Sequence, residues 1–535
     1  MRAEPATEPA RPVHVAEIST SGRRRVRLVL TLLSFCIYAV VLFSLSQSRD
    51  AAFAVDRSSV AAAVSNIAYG APLGTVHSGV LEHFLRRVEA PLQEVFDEIA
   101  LDETAVGPVM PTIHDGNGSG YIFFAAAALR LFGLHSWSLL LLMLGVMGFS
   151  ALSLLARFGG TIAEVVILYF CGLTLMLFTA LIWDPANSLQ MSVSGSRYFT
   201  LVAILPAFHL LFEIVHGPGG EPERGRRRDF LLAAQTAIFV LSVLVRSSAA
   251  PTAGALGVVW LGLLWRRRNA EAELRSLGRK AAIIGLVAVG FVGILILTLP
   301  FDYVTEGRFT KTFWELLVVG LGVNPAWPFG DLRDIFDCRQ YIPEGLVPSL
   351  VDRNGHCIWW DYAAKHKIPA KEVIDGTYSG RYENAMRNAF LKISRLYPGE
   401  VLATFLYYKP KMIISSILAS LETRLTSYPL VAIGLLFASL ANVLAYFVVV
   451  ARLPAPNRRL IAKSAMLFAA AAVPSYLVAW AYPWTTGDLV FYCIFCIGLL
   501  SGLVAAAGYR VTSRLRQAAR AKSDKMMPAP SNASD

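Results

Sequence analysis

The sequence has few charged residues for its length, and this scarcity sets its class. Of 535 residues, charged side chains make up 16% and hydrophobic ones 55%. Soluble globular domains carry about 25% charged residues. The composition therefore excludes an ordinary soluble protein and indicates a polytopic membrane protein.

The apolar stretches also lack ionisable side chains almost entirely. The exceptions are His209 and Glu213, which stand one helical turn apart. Ion-coupled transporters and proton pumps need ionisable or polar groups inside the bundle. Their scarcity argues against transport and moves the polar chemistry to the outer ends of the helices. The pair itself is expected to be buried or to snorkel to the interface.

Cysteine is scarce as well, with six residues in the chain. Cys493 and Cys496 form a CxxC inside an apolar stretch, without a neighbouring His or basic residue. This context favours packing residues over a redox or metal site. Cys338 and Cys357 fall in a polar segment and are placed to form a disulfide in an oxidising compartment. Such a bond would be structural and would stabilise the fold by ~3 kcal/mol in the chain-entropy model.

Two further absences narrow the function. The glycine-containing segment 320–325 is not followed by Lys-Ser/Thr, so it is not a phosphate loop. No repeat of solenoid period is present, and no internal duplication of the kind that many transporters show.

Apolar stretches of about 20 residues are long enough to cross the hydrocarbon core of a bilayer. The sequence predicts ten spans, of which the sixth is short. They are 26–46, 136–155, 163–183, 198–215, 230–245, 252–265, 281–299, 428–450, 464–480 and 489–507.

Five basic clusters set the predicted orientation. They lie at 23–25, 224–228, 266–268, 452–463 and after Arg510. With ten spans all five fall on one side, which the positive-inside rule makes cytoplasmic, together with both termini. The net charge of +11 is thus explained by orientation signals and lipid headgroups, without nucleic acid. The first span lacks a cleavage site and is expected to be an anchor.

The predicted fold is an all-α polytopic membrane protein with about ten transmembrane helices, amphipathic interfacial helices and a periplasmic loop domain. The predicted divisions are a cytoplasmic tail (1–25), a membrane core with seven spans (26–300), the periplasmic loop domain (301–425), three C-terminal spans (426–508) and a basic cytoplasmic tail (509–535).

The first periplasmic loop, 47–135, concentrates acidic residues above the predicted bilayer. Its segment 81–99 has apolar residues at helical spacing and is expected to lie on the membrane surface. Asp102, Glu103 and Asp115 follow it, close to a glycine-rich turn, and are candidates for chemistry at the interface. For each acid, a solvated helix face remains the alternative.

Other polar residues gather at the outer ends of later spans. Asp184 and Arg197 flank the polar connection between the third and fourth spans, and Arg246 follows the fifth. An arginine on the outer side runs against the usual charge bias, and it can hold a phosphate with two hydrogen bonds. A headgroup contact or a salt bridge to a loop carboxylate is the alternative for each.

With these residues in view, the chain resembles the GT-C glycosyltransferases, the superfamily of protein mannosyltransferases and lipid A aminoarabinose transferases. The features that carry the resemblance are the acidic pairs Asp97-Glu98 and Asp102-Glu103, the segment 114–139 leading through Leu-Phe-Gly into the second span, the short alternating spans, and the outer segments 313–331 and 382–411.

The resemblance implies an inverting transfer of a sugar from a polyprenyl-phosphate carrier to an envelope acceptor, in a bacterial inner membrane. Such a transfer needs a carboxylate base near the acceptor hydroxyl. Carried onto this chain, the base is Asp102 or Glu103, with Asp115 as a rival. The family's acidic pair usually stands soon after the first span, whereas here Asp50 and Asp56 hold that place without the paired pattern.

The resemblance also implies cations at the leaving phosphate, where negative charge develops. Arg197 and Arg246 would hold the lipid phosphate, and Asp184 would orient the acceptor or a metal. The sequence leaves open whether a divalent metal is needed, which sugar and acceptor react, and the oligomeric state. The expected partners are membrane lipids, the polyprenyl-phosphate-linked donor and the acceptor.

Two alternatives remain. An O-antigen ligase or polymerase also combines many spans with one large outer loop, and its chemistry would rest on Arg333, His356 and Arg381. A transporter or flippase would instead need polar residues around a cavity at the membrane midplane. A non-catalytic scaffold would leave both outer segments without a role.

Overall fold

The computed structural model describes most of the predicted helices. The described residues are 14–47, 57–86, 90, 92–101, 106–111, 120–158, 161–177, 195–196, 199–215, 225–266, 268–298, 313–327, 353–369, 380–427, 429, 433, 437, 444, 446–447, 449–451, 453, 455–477 and 487–526.

These residues form helices with one short pair of strands. In chain order the elements are α1 (His14–Gln47), α2 (Arg57–Tyr69), β1 (Thr75–His77), α3 (Ser78–Arg86), α4 (Leu92–Leu101), β2 (Val109–Pro111), α5 (Gly120–Phe132), α6 (Ser138–Phe158), α7 (Thr161–Leu177), α8 (Thr200–Val215), α9 (Arg226–Val245), a 3-10 turn (Ser247–Ala249), α10 (Ala250–Arg266), α11 (Glu271–Thr298), α12 (Trp314–Gly320), a 3-10 turn (Leu321–Val323), α13 (Arg353–Lys365), α14 (Gly380–Leu396), α15 (Pro398–Ala403), a π-helix (Thr404–Tyr408), α16 (Lys409–Ser427), α17 (Ala455–Leu477) and α18 (Gly487–Met526).

Five of the helices are long and apolar enough to cross a membrane, within the part of the chain that is described. They cover Ser138–Phe158, Arg226–Val245, Glu273–Ile294, Pro456–Leu477 and Cys496–Ala519. Shorter apolar helices occupy Leu28–Phe43, Gly120–Phe132, Ile162–Gly172, Thr200–Val215 and Trp314–Val323. The structure thus supports a helical chain with several candidate spans, while the count of ten and the periplasmic domain stay predictions.

Three apolar clusters hold the helices together. The largest joins α1 to α8 with α17 and α18, and a second joins α8 to α11 with α17. The third lies in α12 to α15 and is built around Trp359, Tyr382 and Met386. The segment between α11 and α16 therefore has a core of its own, because its helices bury their apolar faces against one another.

The amphipathic segment of the first loop differs from the prediction. It forms two helices, α3 and α4, whose residues Leu81, Phe84, Val95 and Phe96 belong to the largest core, although Leu85 is exposed. Helical spacing indicates that a face is apolar but not what covers it. Here the cover is the protein itself, through contacts of α3 with α2 and α4.

The two strands close the first loop. They pair antiparallel, with His77 opposite Val109 and Thr75 opposite Pro111. β2 lies between residues 102–105 and 112–119, which hold the three candidate acids and are outside the described residues. The strand pair consequently joins the described segment that separates Asp102 and Glu103 from Asp115 to β1.

Candidate functional site

The N-terminus of α5 touches the C-terminus of α9 at backbone distance. A Cβ atom built on Gly120 would lie 2.6 Å from the carbonyl carbon of Leu244 and 2.7 Å from the nitrogen of Val245. Real Cβ atoms do not approach a backbone this closely, so the contact requires glycine. The residue after Val245 is Arg246, and the glycine therefore brings the end of the first loop beside this arginine.

Arg246 stands where α9 gives way to a 3-10 turn. Its N–H donates to the carbonyl of Ser242 at 2.8 Å, and its side chain is half-buried. Two residues on, the hydroxyl of Ser248 is 3.3 Å from that of Thr200, the first residue of α8. The Ser475 hydroxyl, near the end of α17, donates to the Ser248 carbonyl at 3.4 Å. Three helix ends thus meet around this turn.

A buried aromatic contact adds the start of α8 to the same place. The rings of Phe124 and Phe199 lie edge to face with centroids 4.6 Å apart, and both side chains are buried. Arg197 precedes Phe199 by two residues but is itself outside the described part of the chain.

A buried lysine joins α16 to the end of α17. The Nζ atom of Lys409 donates to the Leu477 carbonyl at 3.1 Å and lies 4.4 Å from the ring centroid of Phe405. Burial lowers the pKa of the Lys409 ammonium to about 7. The Tyr476 hydroxyl donates to the carbonyl of Phe405, inside the π-helix. π-helical turns occur frequently at functional sites.

We call these meeting helix ends the rim cluster. Its members are Gly120, Thr200, Arg246, Ser248, Lys409, Ser475 and Leu477. The cluster brings one predicted residue, Arg246, together with a cation that sequence reasoning missed, Lys409. No local signal distinguishes Lys409 from Lys411, since only tertiary packing buries the first and exposes the second.

The other predicted site residues are not described. Asp102, Glu103, Asp115, Asp184 and Arg197 lie outside the described residues, so their roles remain predictions.

A buried histidine of β1 was also missed. His77 is 7% exposed, and its Nδ1 lies 2.8 Å from the Gly107 carbonyl oxygen. Because a carbonyl only accepts, Nδ1 carries the proton and a neutral ring keeps a lone pair on Nε2. In the described structure Nε2 has no hydrogen-bond partner. The ring is thus oriented by one nitrogen and leaves the other available.

A buried arginine begins α2. Arg57 is 1% exposed and donates to the carbonyls of Phe84 at 3.2 Å and Ala90 at 2.7 Å. Burial lowers its pKa. Asp56 directly precedes it and, like Asp50, lies outside the described residues.

The His209 and Glu213 pair occupies the opposite end of α8 from the rim cluster. Glu213 is buried and bound by Arg157, by Arg228 at 2.6 Å and by Lys280 at 3.7 Å. His209 instead packs edge to face on Phe158. The carboxylate ties α6, α9 and α11 to α8, which is a structural role.

The described cysteines include a disulfide-bonded residue and a buried thiol, and the described residues contain no candidate metal site. Cys357 is disulfide-bonded, while Cys338 lies outside the described residues. Cys496 is a buried free thiol 3.4 Å from the Ala465 carbonyl. Among the described residues, no three or more His, Cys, Asp or Glu side chains are grouped to hold a metal ion.

No protein-family model matches this chain. No curated protein matches it either. Among solved structures, it is similar to a crystal structure of ArnT from Cupriavidus metallidurans bound to undecaprenyl phosphate, with 15% identity over 94% of this chain and 81% of that one, at a TM-score of 0.29. Values this low assign neither fold nor function, so the function below is drawn from the residues of this chain.

Proposed function

We propose that this chain is a membrane glycosyltransferase of the GT-C kind, which moves a sugar from a polyprenyl-phosphate carrier to an envelope acceptor with inversion. The rim cluster is the observation that supports this function. It gathers Arg246 and Lys409 at one end of the helices, next to Gly120, the first described residue after Asp115.

Such a transfer needs a base and a phosphate ligand, and the candidates for both lie close in sequence to residues around the cluster. Asp115 precedes Gly120 by five residues, and Arg197 precedes Phe199 by two. Gly120, in α5, contacts the end of α9 just before Arg246. Phe199 contacts Phe124 of the same helix α5. The described residues that follow Asp115 and Arg197 in sequence are therefore both joined through α5, which supports assigning the base and the phosphate ligand to one site.

In the proposed reaction a first-loop carboxylate, Asp102, Glu103 or Asp115, takes the proton of the acceptor hydroxyl. The acceptor oxygen then bonds to the anomeric carbon while the bond from that carbon to the carrier phosphate oxygen breaks. Negative charge grows on the leaving phosphate, where cations stabilise it. Arg246 and Arg197 would supply this charge.

The wider proposal places the enzyme in a bacterial inner membrane with both termini cytoplasmic and the rim cluster on the periplasmic side. The basic clusters of the sequence support this orientation. Asp184 would orient the acceptor or a metal near the cluster.

The test is transfer of a labelled sugar from a polyprenyl-phosphate donor in membranes that contain the chain. Asp102→Asn, Glu103→Gln and Asp115→Asn are compared with wild type, and Asp97→Asn, an exposed acid of α4, is the matched control. Loss of about 100-fold or more in one of the three variants, with the control active, supports a first-loop base. Full activity in all three would remove that part of the proposal.

Arg246 is tested in the same assay. Arg246→Lys keeps the charge but loses the two-pronged geometry, and Arg246→Gln loses both. We expect both variants to lose activity, and Arg246→Gln to have the lower activity of the two. A wild type that consumes only diphosphate-linked oligosaccharide would instead favour the ligase or polymerase function, in which Arg381 is a candidate.

A further inference from the structure

Helix α14 carries four exposed cations that have no partner among the described residues. Arg381, Arg387, Lys392 and Arg395 are all exposed, and in the described structure none makes an ion pair or a side-chain hydrogen bond. Within the described part of the chain, nothing neutralises the positive charge that this helix exposes.

Two exposed arginines of other described helices are paired within their own helix. Arg86 binds Glu82, and Arg275 binds Glu271, each one turn away. This spacing is the usual stabilising arrangement on a helix surface. On α14 the described residues make no such pair.

A carboxylate is available to α14 but is used elsewhere. Glu383 stands one turn before Arg387, at the correct spacing for a pair. Its carboxylate instead accepts hydrogen bonds from two backbone N–H groups at the first turn of α12, that of Trp314 at 2.9 Å and that of Glu315 at 3.4 Å. The fold thus turns the acid inward and leaves the arginine without it.

The cations share their half of the helix with two leucines. At 100° per residue, the four cations, Leu391 and Leu396 fall within one half of the circumference. Leu391 is 40% exposed and Leu396 is 55% exposed. The other half buries Tyr382, Met386 and Ile393 in the core of α12 to α15. The helix consequently has one buried apolar face and one exposed face that mixes cations with leucines.

The exposed apolar residues continue along the chain into α16. Leu402, Leu406, Tyr407, Ile414 and Leu418 are each more than half exposed. An apolar stripe flanked by Lys and Arg is the pattern of helices that lie in the headgroup region of a bilayer. The long cationic side chains can reach the phosphates while the leucines face the acyl chains.

We propose that the basic face of α14 docks on the anionic phospholipid headgroups of the leaflet next to α16. This face is formed by Arg381, Arg387, Leu391, Lys392, Arg395 and Leu396. Docking holds the core of α12 to α15 against the bilayer surface. The inference does not depend on sugar transfer, because it requires only a bilayer beside the helices.

The test places a spin label on the face in the full-length chain. Leu391→Cys is labelled in a Cys36→Ser, Cys493→Ser background, since Cys36 is an exposed free cysteine, Cys493 lies outside the residues whose burial is described, and Cys171 and Cys496 are buried. The chain is reconstituted in nanodiscs of phosphatidylcholine, with or without phosphatidylglycerol. We expect a several-fold lower collision rate with a water-soluble nickel complex when phosphatidylglycerol is present. A label at Lys365, on α13, which packs on the buried side of α14, provides the water-exposed reference.

Charge reversal separates electrostatic docking from burial of the leucines. Arg387→Glu with Arg395→Glu should raise nickel access at position 391 to its value in phosphatidylcholine alone. Arg86→Glu with Arg275→Glu, which reverses two exposed cations on other helices, should leave that access unchanged. Both double variants change exposed residues, and equal thermal stability of the two confirms that they fold.

Three outcomes would overturn the proposal. The label could be as accessible to nickel as the reference in every lipid mixture. It could be protected equally in both lipid mixtures and ignore charge reversal, which would assign the face to contacts without an electrostatic component. It could be protected only by added soluble polyphosphate, which would make the partner a soluble polyanion.

Discussion

The Nζ atom of Lys409 donates to the carbonyl oxygen of Leu477 at 3.1 Å, joining the first residue of α16 to the last residue of α17. A helix C-terminus has carbonyl groups without helical partners, and the lysine satisfies one of them. The bond therefore anchors the segment after the π-helix to the end of a candidate span, inside the rim cluster.

The burial of Lys409 predicts a pH-dependent stability. Its pKa falls from 10.5 in the unfolded chain to about 7 in the fold. Between these values the unfolded chain binds the proton and the folded chain does not, so stability rises with pH, by at most about 1.4 kcal/mol per unit. Below pH 7 both states are protonated and this contribution is flat.

Thermal unfolding in detergent at several pH values from 6 to 9 measures this effect. Lys409→Met should lose the rise above pH 7, whereas Lys411→Met, which changes an exposed lysine two residues away, should retain it. An equal pH dependence in wild type and Lys409→Met would contradict the buried ammonium.

Gly120 should not tolerate a side chain. Gly120→Ala places a Cβ against the backbone of Leu244 and Val245, which cannot move like a flexible side chain. Overpacking of this kind costs about 1–3 kcal/mol. In Gly290→Ala nothing lies within 4 Å of the new methyl group, and helix propensity predicts a gain of about 1 kcal/mol. Unfolding temperatures should therefore move in opposite directions.

Replacement of His77 by asparagine tests the roles of its two ring nitrogens separately. In His77→Asn the side-chain amide can still donate to the Gly107 carbonyl, but nothing replaces Nε2. If Nε2 serves the proposed reaction, the variant should keep the unfolding temperature of wild type and lose at least about tenfold in transfer rate. A variant with wild-type stability and full activity would limit the histidine to bracing the first loop.

Neutralising Glu213 should be costly. Glu213→Gln leaves Arg157, Arg228 and Lys280 without their shared carboxylate, and breaking a buried ion pair costs about 3–5 kcal/mol. The partial exposure of Arg157 favours the lower end. Glu271→Gln breaks an exposed pair within one helix and should cost less than about 0.5 kcal/mol. Comparable losses in both variants, measured by thermal unfolding, would contradict the buried network.

Sequence patterns predicted part of the candidate site. The glycine-rich turn before Tyr121 was selected for its place near the candidate acids, and the close contact of Gly120 with the backbone of α9 was not predicted. Arg246 was selected because an arginine at an outer helix end is unusual, and it lies in the rim cluster. Lys409 and His77 carried no signal, because a lysine or histidine becomes notable only when distant segments bury it.

The amphipathic segment of the first loop shows the same limit in the fold. Its spacing predicted an apolar face, and Phe84 and Phe96 do share one core. The prediction of a membrane surface as its cover was wrong, since α2 and its neighbours pack there. α14 shows the converse, because its spacing is equally amphipathic and none of the described residues covers its exposed face.

The sequence by itself determined the class of the protein, the positions of the apolar helices and the sites of positive charge, since hydropathy and charge add up locally along the chain. Only the tertiary structure decided which polar groups are neutralised and which are left over. Glu383 turns to Trp314 instead of Arg387, and Glu213 gathers three cations from three helices. Such choices depend on the placement of helices distant in sequence, where burial makes each charge costly unless a partner is within reach.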